Sequence, residues 1–197
     1  MYGIYDEGVV IAQFVTPMQV KNIRPAFVDD SMTLKRTIAT RPAQRWEITT
    51  RLQPLTSTAN DLFVLLTLKS ITDTMDVIMP QNVGVIARRV KGPGGATASG
   101  SRDGVIINVS SAHYIPKGTF IRFANQTKIY MLTGNVNRNG SVGIYPALRE
   151  AVPVNTSFNW YDDVIMPVYL DTETASGMMF EGGILMDNGD MTFVEAL

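Results

Sequence analysis

Apolar and polar residues alternate along several separate stretches of this chain, and that period of two commits most of it to β-strands. Met18-Gln19-Val20-Lys21-Asn22-Ile23 is the first such stretch, Met32-Thr33-Leu34-Lys35-Arg36-Thr37-Ile38 the second and Trp46-Glu47-Ile48-Thr49-Thr50-Arg51-Leu52 the third. Successive side chains on a strand point to opposite faces, so each reads as a strand with one face on a core and one in water. Pro54 follows the third. It has no N–H to give to a sheet ladder, which suits a strand end.

The period changes to that of a helix in Asp61-Leu62-Phe63-Val64-Leu65-Leu66-Thr67-Leu68-Lys69-Ser70. Thr56, Ser57 and Thr58 offer capping oxygens to the free N–H groups, and Asp61 places negative charge in the first turn. Leu62, Leu65 and Leu66 form one apolar face, and Val64, Leu68 and Ile71 a second. A helix apolar on two sides needs cover on two sides, from its own sheet and a neighbouring module or from another subunit. Leu62, Leu65, Leu66 and Leu68, with Trp46, are therefore candidate subunit-interface residues; burial within the helix's own domain is the alternative.

Beyond Met79-Pro80-Gln81 the pattern becomes short strands with turn residues between them, at 83–90, 104–109, 119–123, 128–134 and 141–145. Asn137-Arg138-Asn139-Gly140 is predicted to be a hairpin turn between the last two, since Asn-Gly supplies the positive φ angles such a turn needs. Five short strands over this length fit a small Greek-key barrel of the oligonucleotide/oligosaccharide-binding (OB) shape, or a piece of a sandwich. Strands return at 163–170, 183–186 and 191–195, with Asn188-Gly189 predicted to join the last two as a hairpin. The fold class expected is mainly β: an antiparallel β-sandwich with one helix near 58–70, built from residues 1–82 and 151–197. A five-stranded OB-like barrel, 83–150, is inserted or appended.

Charge is distributed unevenly. The net charge is −1, yet residues 83–150 carry nine basic and two acidic residues, and residues 151–197 carry eight acidic residues and no basic one. Such segregation points to nucleic acid, to an acidic partner, or to complementary surfaces within one oligomer. Arg88, Arg89, Lys91, Arg122, Lys128 and Arg138 are the candidate basic surface. Asp187, Asp190 and Glu195 are the candidate acidic surface, complementary to it or facing a lumen. Phe120, Phe123, Tyr130 and Tyr145 lie near the basic residues, so an OB-fold protein that stacks single-stranded nucleic acid on aromatics is the alternative function. Those aromatics are also needed for a core.

Little in the sequence suggests catalysis. There is no cysteine and the only histidine is His113. A metal or nucleophile site is therefore not expected, and His113 reads as a surface or interface residue. Asp162 and Asp163, adjacent on a strand, would point to opposite faces. Gly92-Pro93-Gly94-Gly95 lacks the Gly-Lys-Ser/Thr ending of a phosphate loop, and with Ala96 to Ser101 after it reads as a mobile linker. No cofactor and no enzymatic activity are expected. No run approaches the roughly 20 apolar residues of a membrane-spanning helix. Asp6 and Glu7 stand before Val9-Val10-Ile11-Ala12, where a secretory signal would carry positive charge. A soluble protein is expected.

Several segments together resemble the distal tail protein family of long-tailed bacteriophages. Gln44-Arg45-Trp46-Glu47, followed by Leu52-Gln53-Pro54 and the helix, is similar to the strand and helix of that family's N-terminal domain. Lys117-Gly118-Thr119-Phe120-Ile121, Lys128-Ile129-Tyr130 and Tyr145-Pro146-Ala147-Leu148 are similar to its inserted barrel, and Ile184-Leu185-Met186-Asp187-Asn188-Gly189-Asp190 to its closing hairpin. The similarity runs from about Val20 onward, leaving Met1 to Pro17 without a counterpart. It implies a hexameric ring at the end of the tail tube, with the sandwich and helix making the ring and the barrel outside it. It also implies contacts with tube and baseplate hub proteins, location in the virion tail after assembly in the host bacterial cytoplasm, and no catalysis. A ring is one heterologous interface repeated until it closes, so each subunit must carry two complementary faces. The segregated charges and doubly apolar helix are candidates for them. Passage of DNA through the ring would fit an acidic lumen.

Overall fold

The computed structural model describes residues 2–6, 8–30, 36–40, 43–54, 59–68, 73–81, 96–161, 164–171, 179–181, 184–187 and 190–197. The chain is mainly β and antiparallel, with one helix among the described residues.

Six strands form the first closed barrel: β1 (Gly3–Asp6), β2 (Val9–Ile23), β5 (Arg45–Pro54), β16 (Asp190–Glu195), β13 (Ile165–Leu170) and β6 (Met75–Ile78), in that order around the ring. The expected sandwich thus joins at both edges and leaves no open ladder on either side. The opening segment, which the family resemblance left out, supplies the closing strand: β1 pairs with β2 on one side and β6 on the other. A Cβ on Gly3 would collide with the carbonyl oxygen of Ala12, so glycine allows this close approach beside the β1/β2 bulge. Trp46, Ile48, Leu52, Val77, Met166, Val168 and Phe193 fill the interior.

Helix α1 (Ala59–Leu68) has Asp61 in its first turn, as expected. Leu62, Leu65 and Leu66 are buried in the core of the first barrel. They are packing residues of the chain itself, which corrects their reading as subunit-interface residues. Val64, on the second face, is 51% exposed. The side chain of Leu68, the capping oxygens of 56–58 and Ile71 lie outside the described residues.

The second barrel also has six strands: β10 (Ile129–Leu132), β11 (Val136–Tyr145), β8 (Ile106–Ile115), β7 (Thr97–Gly100), β12 (Val152–Asn159) and β9 (Phe120–Phe123). Five were expected. β7 lies where a mobile linker was predicted; it pairs with β8 and β12, and Ala98 is buried. Its small polar residues hide the strand, because only alternate positions need to be apolar. β12 falls beyond the expected boundary at 150 and pairs with β7 and β9, so the second barrel runs to Asn159. The predicted strand at 83–90 lies outside the described residues. Asn137-Arg138-Asn139-Gly140 is not a hairpin turn but part of β11, paired with β8 through a bulge, with Arg138 at φ 72°. Asn and Gly suit a bulge for the same reason they suit a turn. Ile107, Ile121, Phe123, Tyr130, Leu132 and Trp160 are central to this second core.

Because β6 and β13 are hydrogen-bonded neighbours, the second barrel is an insertion between adjacent strands of the first. Among the described residues two further ribbons form: β3 (Ala26–Asp30) with β4 (Arg36–Thr40), and β14 (Met179–Glu181) with β15 (Ile184–Asp187). The hairpin predicted to join β15 to β16 is corrected accordingly: β15 pairs with β14, and β16 with β13 and β5. The short alternating runs are legible singly, but their partners are set by the closed barrel.

Candidate functional site: the junction of the two barrels

The most concentrated chemistry among the described residues lies where the barrels meet. Lys128, just before β10, extends its ammonium group to the carboxylate of Glu195 at the end of β16, 2.5 Å away, and donates a second hydrogen bond to the carbonyl of Gln44. The carboxylate also accepts the backbone N–H of Trp46 and of Ile129, at 3.0 and 2.8 Å. Taking two charges out of water costs several kcal/mol per ion, and only dense hydrogen bonding offsets it. Glu195 has three donors, two of them fixed by the ends of β-strands. Burial holds the Lys128 amine below its ordinary value; Glu195 opposes this, while Arg149 and Arg45 add to it.

Apolar contact surrounds the ion pair. The indole Nε1–H of Trp46 donates to the carbonyl of Ile129 at 3.0 Å, so that one residue of the second barrel has both backbone groups tied to the first. The Trp46 ring meets Phe120 and Tyr145 edge-on at 5.0 and 6.2 Å. Phe120, Met131 and Tyr145, on the outer face of the second barrel, pack with buried Ile129 against the core of the first. Gln81 closes a two-bond bridge to the backbone of Phe120, donating through Nε2 and accepting through Oε1. Arg122 donates from Nη1 to the carbonyl of Ile165, and Asn22 reaches the hydroxyl of Tyr145.

The candidate residues named from the sequence therefore separate. Trp46, Arg122, Lys128 and Glu195 come together, but inside the chain. Trp46, Lys128 and Glu195 are buried, which corrects the readings of Trp46 as a subunit contact, Lys128 as basic surface and Glu195 as a lumen-facing acid. Asp190 is exposed and forms an ion pair with Arg51 at 2.7 Å. Arg138 is exposed on β11. Asp187 belongs to β15, its side chain outside the described part, and Arg88, Arg89 and Lys91 lie wholly outside it.

Of the four aromatics weighed as a stacking platform, Phe123 and Tyr130 are core residues, while Phe120 and Tyr145 are used at the junction. His113 is half-buried with its ring 6.5 Å from that of Trp160. Among the described residues no three metal-binding side chains cluster, and no helix is long and apolar enough to cross a membrane.

Sequence reasoning missed Gln44, Gln81 and Asn22. Nothing in their local pattern marks them. Glu195 did carry a signal: it shares the inward parity of Met191 and Phe193 on β16, and a carboxylate at a core position needs a buried partner. Searches against protein-family models and against curated proteins found no match.

Proposed function

We propose that this chain is a structural subunit of a ring at the distal end of a bacteriophage tail tube, joining the tube to hub, baseplate or fibre proteins. The observation that carries the reading is the insertion of one closed barrel between adjacent strands of another. An inserted barrel is what the resemblance to distal tail proteins implies, and two of its three segments lie in or beside the two barrels; the third, Ile184 to Asp190, does not form the closing hairpin. Gln44 to Glu47, Pro54 and the helix belong to the first barrel or border it. Lys117 to Ile121, Lys128 to Tyr130 and Tyr145 to Leu148 belong to the second.

The junction adds a physical reason. Ring closure requires each subunit to repeat one rotation, so a subunit with hinged halves pays in ordering entropy what a stiff one does not. A buried ion pair with three donors on its carboxylate, flanked by edge-on aromatics, holds the barrels in one relation. Hexameric closure and location in the virion tail follow from the resemblance. A lumen lined by acids would draw on Asp190 and not on Glu195, which is spent inside the subunit. The alternative, a single-strand-binding OB protein, is weakened by the use of its aromatics in cores and junction.

The test is native mass spectrometry and electron microscopy of the full chain at high concentration, alone and co-expressed with the tail-tube protein of the same phage. Six-membered rings are expected. A strictly monomeric species under both conditions would defeat the reading.

A further inference from the structure

Beside the junction, the turn between β9 and β10 and the loop holding Arg149 enclose an open cavity of about 410 Å³. Three cationic side chains, Arg122, Lys128 and Arg149, line it against one acidic side chain, Glu150, with Gln126 and Leu197 among the remaining walls. Two of the cations are committed. Arg122 gives Nε to the carbonyl of Gln126 and Nη1 to that of Ile165, and Lys128 is held by Glu195 and Gln44. Arg149 is not. Its backbone N–H donates to the Tyr130 hydroxyl, but its exposed guanidinium forms no ion pair among the described residues, even with Glu150 next to it.

A guanidinium presents its donors as a planar fork that matches an oxyanion bidentately. We propose that this cavity is a socket for a carboxylate side chain on a partner protein, with Arg149 as the fork and Arg122 adding positive charge to the wall. A carboxylate fits better than a phosphate for two reasons. One fork is uncommitted, which suits a single charge, and Glu150 in the wall repels a dianion more than a monoanion. The cavity is open and larger than a carboxyl group, leaving room for the peptide that bears it.

Occupancy also reaches the junction. Arg149 is among the positive groups that disfavour the charged form of Lys128. A carboxylate that neutralises it relieves this repulsion and tightens the hold of Lys128 on Glu195. The proposal does not rest on ring formation, because it is read on the isolated chain.

The experiment titrates the full chain with acetyl-Gly-Glu-Gly-amide, its Gln counterpart and inorganic phosphate, following arginine Nε–H resonances by NMR. The Glu peptide is expected to shift the Arg149 resonance saturably, and the Gln peptide to bind about tenfold more weakly, as loss of one charge-assisted hydrogen bond implies. Arg149→Gln should cost the Glu peptide about tenfold in affinity with the melting temperature unchanged, since the side chain is exposed. Equal binding of the two peptides, no saturable shift, affinity indifferent to Arg149→Gln, or phosphate binding tighter than the Glu peptide would each overturn it.

Discussion

Glu195 of the first barrel grips Lys128 of the second where their side chains are 0% and 2% exposed, so the ion pair joining the barrels is sealed from water. A buried pair adds little net stability compared with an apolar pair, yet removing one partner is expensive because the other charge stays behind. Glu195→Ala strands the Lys128 ammonium and the N–H groups of Trp46 and Ile129. It is expected to cost about 3–5 kcal/mol. Lys128→Met leaves the carboxylate with two backbone donors and should cost less. Guanidinium unfolding measures both, and a Glu195→Ala midpoint equal to that of the unaltered protein would mean the junction is open in solution.

The Arg51–Asp190 pair makes the contrast. Its contact is also short, at 2.7 Å, but its side chains are 58% and 66% exposed. Exposed pairs gain little Coulomb energy in water and are screened by salt. Asp190→Asn is expected to change stability by no more than about 1 kcal/mol, with most of the change gone at high salt. A loss as large as that of Glu195→Ala would show that Asp190 does more than pair with Arg51.

Trp46 tests the apolar half of the junction. Trp46→Phe keeps a ring near Phe120 and Tyr145 but removes the N–H that the Ile129 carbonyl accepts. The expected cost is about 1–3 kcal/mol, for an acceptor left unsatisfied in a buried site. Trp160 remains as a fluorophore in the second core, so its emission reports whether that barrel keeps its packing. Retained Trp160 emission with a lower unfolding midpoint is the expected pair of results.

Those side chains also show how far the sequence could be read. The alternation in Trp46 to Leu52 and the apolar stripe of Leu62, Leu65 and Leu66 are local signals, and they placed a strand and a helix correctly. Which surface those apolar faces cover is not local. A strand needs only inward side chains of the right kind, so Trp46 reads the same whether it meets a second subunit or a second barrel. Charge counting misplaced Lys128 and Glu195 for a related reason: it detects them as opposite excesses in separate segments, but only the chain path brings them together across 67 residues. Glycine- and serine-rich β7 and the bulge at Arg138 were misread because flexible residues signal loops on average, and closed barrels also need such residues at sharp bends.

Alkaline pH separates two buried groups of the second barrel by sign. Burial pushes the Tyr130 phenol above its ordinary 10.0 and holds the Lys128 amine below its ordinary 10.5. For Tyr130 the fold favours the protonated form, so its contribution is full below pH 10.0 and is lost as the pH rises through the folded value. For Lys128 the fold disfavours the proton; the penalty stands below the folded value and is relieved as the pH climbs towards 10.5. Tyr130 donates to Gln126 and accepts from the Arg149 N–H. Tyr130→Phe is therefore expected to be about 1–3 kcal/mol less stable than the unaltered protein near neutrality, and to converge on it at strongly alkaline pH. Lys128→Met should do the opposite, falling further behind as the unaltered protein sheds its lysine penalty. Urea unfolding of the three proteins from about pH 8 to about pH 11 spans both effects. If the gap between Tyr130→Phe and the unaltered protein stayed constant over that range, the phenol would not be titrating from a buried site, and the hydrogen bonds drawn around it would have to be reassigned.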